Sequence, residues 1–574
     1  MASFLKILRK IRILLALIVF VAISAQFLDI YNQLPREYYM FNPVKTQFAP
    51  SLLKWLATGS VVSASAFITF SIMALIFGRA YCASFCAFGI LMDIIRTTVK
   101  KIGNAPIIKK TRLNKSIKKA TMMKYRPARN IIRCVFLSIA FLMILCGWTT
   151  LFGFLDPYSL YGKIMGSAVH TITAETANNA SALLSEFGIY TIEPINGNPR
   201  VALASFGIAL TILATISIVS IFRGRLFCNS VCPVGAMLGM ISKFSIFTLS
   251  LDNSKCISCG MCERNCKSEC INSQAKKLDF SKCVLCFNCA NSCPKNAIKF
   301  SLNEKYQRQQ STKPVEKQIT KSPSQMSRRT FPRALASLSA LMLSAAKKEC
   351  KVKQSSKSDS EAPSPYQVDG ARPDKRLAAP PGAKSIENFL ENCTACQICT
   401  AACKAQILKP SMNEWGLSHF MQPYMDFNEG FCLHNCHNCS KVCPTGAINF
   451  ISGKEKRHLK IGTAIFDEDL CIVKTDGTDC AACAEHCPVQ AIEMLPFGDK
   501  ADSLFIPYVH SEVCIGCGAC ESICPVRPHR AIVVQGIAVH RQAKKFEESM
   551  RIHKTTQKTP KSDKIAPQEN PFPF

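Results

Sequence analysis

Residues 256–266 read CISCGMCERNC and residues 283–294 read CVLCFNCANSCP. Each contains a C-x2-C-x2-C-x3-C run, the local spacing at which thiolates wrap a [4Fe–4S] cubane. Working outward, the pattern returns in the C-terminal half. Cys393, Cys396, Cys399 and Cys403 are followed by Cys432, Cys436, Cys439 and Cys443. Then come Cys471, Cys480, Cys483 and Cys487, and finally Cys514, Cys517, Cys520 and Cys524. With Cys256, Cys259, Cys262, Cys266, Cys283, Cys286, Cys289 and Cys293, these make 24 of the 32 cysteines. Six [4Fe–4S] clusters on one chain form a path for single electrons.

Neither disulfides nor zinc suits these cysteines as well as iron–sulfur clusters do. A disulfide framework has no reason to repeat one local period. A zinc ribbon needs two C-x2-C pairs, but not a third cysteine and a fourth three residues later. The spacing is that of a bacterial two-cluster ferredoxin, in which the last cysteine of each run ligates the cluster of the other. Cys256, Cys259, Cys262 and Cys293 then form one set, and Cys283, Cys286, Cys289 and Cys266 the next. In the second block the sets are Cys393/Cys396/Cys399/Cys443, Cys432/Cys436/Cys439/Cys403, Cys471/Cys480/Cys483/Cys524 and Cys514/Cys517/Cys520/Cys487. Two spacings are longer, x3 at Cys432–Cys436 and x8 at Cys471–Cys480, and loop insertions of this kind cost little. Cys270 is a spare, and Cys134 and Cys146 read as packing residues.

The first 225 of the 574 residues carry long apolar runs, and the remainder is polar and rich in cysteine. Stretches near 11–30, 55–77, 131–152 and 201–222 are each near or above the ~20 residues that span a bilayer as a helix. The net charge of +31 suggests nucleic acid only until its location is considered. Much of it lies in 96–133, in the linker 301–333 and after Arg541, where basic loops beside membrane spans account for it. No nucleic-acid partner is expected. Lys6, Arg9, Lys10 and Arg12 precede the first span, and the loop after the second is densely basic, whereas the 153–200 loop has only Lys163 and Arg200. The positive-inside rule puts the N-terminus, the 78–130 loop and the first cysteine block in the cytoplasm.

An internal repeat lies at the cytoplasmic helix ends. GRAYCASFCAFG at 78–89 and GRLFCNSVCPVG at 224–235 match in register, 146 residues apart. Parallel repeats are related by an axis along the membrane normal, which brings Cys82, Cys86, Cys228 and Cys232 together. If each C-x3-C pair is helical, its sulfurs lie one turn apart on one face, suited to a shared metal or redox site. Asp29, Asp156 and His170 fall near the other face and are candidate proton acceptors.

Between the cysteine blocks, Ser327-Arg328-Arg329-Thr330-Phe331 precedes a mild apolar run, Ala334–Ala346, similar to a twin-arginine export signal. Export of the second block, already loaded with clusters, to the periplasm follows from it. The expected organisation is a four-helix transmembrane domain at 1–245, a cytoplasmic two-cluster domain at 246–300 and a linker at 301–350. A four-cluster domain at 385–540 and a disordered tail at 541–574 complete it. The fold class is an α-helical membrane domain with internal duplication plus α+β bacterial-type ferredoxin domains.

These residues resemble a fusion of two ferredoxin-type proteins. Four spans, two C-x3-C motifs and a two-cluster block are similar to NapH of periplasmic nitrate reductase systems. The twin-arginine segment and four further cubane motifs resemble NapG, with MauN and MauM as relatives. Ala87 departs from the C-x3-C-P pattern that Pro233 keeps. The resemblance implies a multi-pass inner-membrane quinol dehydrogenase. Menaquinol or ubiquinol from the membrane quinone pool would be the electron donor, and a periplasmic cytochrome c or molybdenum reductase the acceptor. The alternatives are an iron–sulfur assembly factor for a periplasmic metalloenzyme, or a donor in methylamine-type respiration. A further alternative keeps both blocks in the cytoplasm. No C-x-x-C-H haem motif or nucleophile motif is present, so an electron carrier is expected.

Overall fold

The computed structural model describes residues 2–29, 31, 33–35, 43–103, 117, 120–190, 203–303, 377–497 and 504–544. The twin-arginine segment, most of the linker and the tail from 545 lie outside the described residues.

Helix α1 runs over Ala2–Leu28, basic in its first turns and apolar beyond Arg12, with neither glycine nor proline to interrupt it. It is followed by α2 (Phe48–Thr58), α3 (Val61–Phe77), α4 (Ala87–Gly103) and α5 (Asn130–Leu145). Then come α6 (Pro157–Ile164), which runs through a π-turn at Met165–Val169 into α7 (His170–Glu186), α8 (Leu203–Arg223) and α9 (Pro233–Ile241).

Two of the four stretches read as spans prove shorter. Among the described residues, only Ser3–Leu28 and Leu203–Arg223 are long and apolar enough to cross a membrane. The stretch at 55–77 is split because Gly59 adopts the left-handed conformation (φ 66°) that closes α2. The stretch at 131–152 stops at Leu145 because Gly147 turns left-handed (φ 72°). Helices α3 and α5, with 17 and 16 residues, are thus about 25 Å long.

Beyond the helices lie five two-stranded antiparallel ribbons among the described residues. In the first block Phe247–Leu251 pairs with Ile298–Leu302, so the strands before and after the cysteine runs close on each other. In the second block Leu459–Phe466 pairs with Ile532–Gln542 around the last two runs. Ile492–Phe497 pairs with Leu504–Val509 between them.

The helical layer is held between the two cysteine blocks. At one end, Arg9 of α1 donates to Asn288 (3.1 Å) and Arg133 of α5 to Ser281 Oγ (3.3 Å). At the same end Phe77, closing α3, stacks on Phe247, and Arg225, just past α8, donates its backbone N–H to Lys267 (3.0 Å). The opposite ends meet the second block. Thr149, beyond α5, donates to the Cys393 carbonyl (3.1 Å), and Phe154 stacks on Phe420. Lys163 of α6 donates to the Thr394 carbonyl (3.3 Å). The last turns of α1 pack on α6 through Phe20, Ser24 and Phe27 against Tyr161. The 27 residues of α1 therefore extend about 40 Å from one block toward the other.

One buried core runs continuously from Cys286 of the first block through Cys82, Cys86, Cys228 and Cys232 to Cys393 and Cys396. The outside of the layer is apolar along four of its helices. Val21, Val62, Ile131 and Leu203 are 63–86 % exposed, and similar side chains line α1, α3, α5 and α8.

One half-buried histidine gives the second block a pH dependence. His540, on the last strand, has neither ring nitrogen hydrogen-bonded, and burial pushes its pKa down to about 4. The unfolded chain takes up this proton near pH 6.5 and the folded chain only near 4, so stability falls as pH drops through that window. A loss of about 3 kcal/mol between those limits is expected in chemical denaturation, and it should be absent in His540→Phe.

Candidate metal centres

The cysteine runs fold as loops that face their thiols and backbone N–H groups inward. In four of the six runs the residue between the first two cysteines is left-handed: Ser258, Leu285, Ala395 and Gly516. So is the residue between the second and third: Gly260, Phe287, Gln397 and Gly518. Such alternation turns successive N–H groups to one side and forms a nest for an anion. Bulky Leu285 and Phe287 at positive φ are strained, and they persist only where the surroundings hold them. The two runs with lengthened spacing lack this pair of turns among the described residues.

Three cavities are bounded by cysteines from two runs each. One is lined by Cys256, Cys259, Cys262 and Cys293, and another by Cys471, Cys480, Cys483 and Cys524. A third holds Cys266, Cys283, Cys286 and Cys289 together with Cys270. In the remaining sets, Cys399 faces Cys393, Cys396 and Cys443, while Cys439 faces Cys432, Cys403 and Cys436. Cys520 likewise faces Cys514, Cys517 and Cys487. In the three cavities each group takes three cysteines from one run and the last from its neighbour, and the neighbours of Cys399, Cys439 and Cys520 are compatible with the same sharing.

Burial pushes four of these thiols well up, Cys262 and Cys403 to about 11 and Cys483 and Cys517 to about 12. A buried thiolate needs a compensating cation, and bound iron provides one. Backbone N–H groups already point at sulfur: Ala297 at Cys293 (3.2 Å), Ala491 at Cys487 (3.2 Å) and Ile448 at Cys443 (3.4 Å). The donor set, the nests and the cavities all fit a cubane. Cys270, a spare by spacing, lies 3.4 Å from Cys266, and its hydrogen bond holds the Cys266 pKa down.

The C-x3-C motifs depart from the helical reading. Cys82 sits in a one-turn helix, Tyr81–Ser84, and Cys86 follows a break at the start of α4. Cys228 lies in Leu226–Ser230, and Cys232 caps α9, its Sγ accepting from Gly235 N (3.3 Å). The second cysteine of each pair thus begins a new helix, and Pro233 fits at the first helical position because no N–H is needed there. Ala87 takes the same place in the other copy. All four thiols are buried in one core. Among the described residues, no three His, Cys, Asp or Glu side chains are gathered closely enough to hold a single metal ion.

What binds the two copies together is a pair of arginines that recur in the repeat but had no assigned role. Arg79 Nη2 donates to the Cys228 carbonyl (2.9 Å), and Arg225 Nη1 to the Cys82 carbonyl. Each guanidinium lies against the glycine that opens the other copy's helix. A Cβ at Gly89 or at Gly235 would come within 2.9 Å of it. Both arginines are fully buried. Arg225 also pairs with Asp93 (2.7 Å), which Lys267 joins at 3.0 Å. Position 239, the counterpart of Asp93, is glycine. Arg79 relies instead on Asn229 Oδ1 (2.7 Å) and the Ser281 carbonyl (3.2 Å).

At the other end of the helices Asp156 caps α6, its Oδ2 accepting from Ser159 N and Oγ (both 2.7 Å). Its Oδ1, the Tyr158 hydroxyl and His170 Nε2 are buried without a hydrogen-bond partner. Asp29 accepts from the backbone of Gln33 and Leu34.

The family described as a 4Fe-4S dicluster domain matches residues 478–527. That described as a 4Fe-4S binding domain matches twice, at 60–105 and 206–249, which are the two copies of the helical repeat. The methylamine utilization ferredoxin-type protein MauM of Paracoccus denitrificans is 33 % identical over 166 residues, 28 % of this chain and 72 % of that protein. The chain belongs to the ferredoxin-type iron–sulfur proteins. Ferredoxin-type protein NapG of Escherichia coli K12 is 33 % identical over 156 residues, 25 % of this chain and 64 % of that protein. NapF of the same strain is 26 % identical over 147 residues, 26 % and 79 % of the two chains. These likenesses support a ferredoxin-type protein related to the Nap and Mau ferredoxins rather than a NapH–NapG fusion specifically. No solved structure matches this ferredoxin-type chain.

Proposed function

We propose that this ferredoxin-type protein draws electrons from a membrane quinol and delivers them to an acceptor across the bilayer. The helical layer would span the membrane, the first block facing the cytoplasm and the second the periplasm. The supporting observation is the attachment of the two cysteine blocks to opposite ends of one layer whose outer surface is apolar. Exposed side chains of this kind along α1, α3, α5 and α8 are costly in water and ordinary in lipid.

In this reading the 24 cysteines hold six [4Fe–4S] clusters, which supply one-electron exchange. Quinol oxidation releases two electrons and two protons. The unpartnered Asp156 Oδ1 and His170 Nε2, next to the Cys396 loop, are suited to take a proton. Cys82, Cys86, Cys228 and Cys232, buried together in the core between the blocks, would serve as a further thiol redox site rather than as a metal site. The acceptor is a periplasmic cytochrome c or reductase, and the likeness to MauM makes methylamine oxidation the alternative setting to nitrate reduction.

Mixing the loaded protein with a water-soluble quinol in a stopped-flow instrument should bleach the cluster absorbance. Asp156→Asn should slow this at least tenfold with iron content unchanged. Reduction by dithionite but never by quinol would defeat the proposal. The sharing of ligands has its own test. Cys293→Ala should remove the four irons held with Cys256, Cys259 and Cys262 while sparing the set built on Cys283. Iron analysis with electron paramagnetic resonance distinguishes this from loss of the nearer set.

A further inference from the structure

We infer that the cavity at the first-block end of α5 and α8 binds a phosphate group, that of an anionic phospholipid. The cavity, of about 290 Å³, opens between Arg129 at the start of α5, Arg223 at the end of α8 and the 268–282 segment of the first block. Five cations line it, Arg126, Arg129, Arg133, Arg223 and Lys282, against one carboxylate, Glu269. Glu269 is divided between Arg223 (3.5 Å) and Arg126 (4.0 Å) and cannot balance them.

Basic residues beside spans are common, but these form a built site. Arg133 is 3 % exposed, anchored by its Nε to the Asn229 carbonyl (2.6 Å), and its buried Nη2 has no partner. Ser268 Oγ on the facing wall is also buried without one. Lys282 is fixed by the Arg126 and Glu269 carbonyls at 2.8 and 2.9 Å. Buried donors without acceptors are costly, and a guanidinium cluster matches phosphate oxygens in charge and geometry.

A lipid is favoured over free phosphate by what lies beside the cavity. Ile131 and Phe222, on the same helix ends, are 82 % and 55 % exposed, and Leu226 lines the cavity wall. An acyl chain could follow this apolar surface from a headgroup held by the arginines, as in basic pockets between membrane helices. The lipid source rests on the membrane reading above.

The test uses the full, cluster-loaded chain in neutral detergent, with its unfolding midpoint followed during titration. Phosphatidylglycerol should raise the midpoint by several degrees, while phosphatidylcholine and inorganic phosphate should not. Arg129→Gln combined with Arg223→Gln, at the mouth, should demand roughly 10- to 30-fold more phosphatidylglycerol for the same shift. Glu269→Gln should demand less. Equal shifts with phosphatidylcholine, or unchanged titrations in both variants, would overturn the site. A full shift with inorganic phosphate alone would overturn the lipid source. Release of the chain from membranes by alkaline carbonate would instead count against the membrane reading, which separates the two failures.

Discussion

Replacing Gly162 with alanine is expected to detach the second cysteine block from the helices. Gly162 lies on α6, where its missing side chain lets the Cys396 carbonyl rest on the helix backbone, and an added Cβ would run into that oxygen. Gly153 and Gly166 do the same for the Thr394 and Gln397 backbones, so the whole 394–397 loop sits on a glycine-lined surface. A collision between backbones cannot be relieved by a change of rotamer. Overpacking of this kind costs about 3 kcal/mol or more, which is roughly a hundredfold in the docking equilibrium. With a protease site placed between residues 304 and 376, cleavage should leave the wild-type second block bound to the helical domain and release that of Gly162→Ala. Gly207, on α8, has open space around its Cα, and Gly207→Ala should leave the block attached. In Gly162→Ala, electron arrival at the clusters of the second block should slow by at least tenfold while iron content holds.

The second large effect is expected at Arg225. Its guanidinium, fully buried, joins the largely buried Asp93 carboxylate to the buried Cys82 and Gly89 carbonyls of the opposite repeat. Removing one partner of such a pair costs about 3–5 kcal/mol, because the remaining charge is left without its ligand. Lys267 remains beside Asp93, which sets the expectation for Arg225→Gln at about 3 kcal/mol. Arg225→Gln combined with Asp93→Asn should recover part of that loss in a double-mutant cycle. Arg79→Gln should cost less, about 1–2 kcal/mol, since Arg79 bonds an amide and carbonyls rather than a carboxylate. Equal effects at the two positions would show that the copies do not differ in the way Asp93 and Gly239 imply.

The cysteine loops were the most legible part of the sequence. Their local period is short, and four thiols around one cubane leave few ways to fold, so the crossing of Cys293 and Cys266 between neighbouring sets could be read from spacing. The repeat around Cys82 and Cys228 was legible too, and the two matched stretches at 60–105 and 206–249 coincide with it. Helix lengths were not. Hydropathy averages over a window and does not register that Gly59 and Gly147 turn left-handed, which shortens α3 and α5. The C-x3-C pairs misled for a related reason. Their spacing suits a helical face, but each second cysteine instead precedes a new helix, and the Cys232 sulfur caps its own. Arg79 and Arg225 recurred in plain view, yet their role depends on a reciprocal contact across 146 residues that no local pattern encodes. Cys270 carried no signal in its spacing, and only the tertiary fold sets it beside Cys266.

The proposed function requires a membrane between the two blocks, and protease protection reports on that arrangement. Cleavage sites can be inserted beside Ser254, exposed ahead of the first cysteine run, and beside Leu417 in the second block, exposed by 78 %. In intact cells stripped of any outer membrane, added protease should cut at Leu417 and spare Ser254 until the cells are lysed. Protection of both sites until lysis, or cleavage of both before it, would place the blocks on one side and refute transfer across the bilayer.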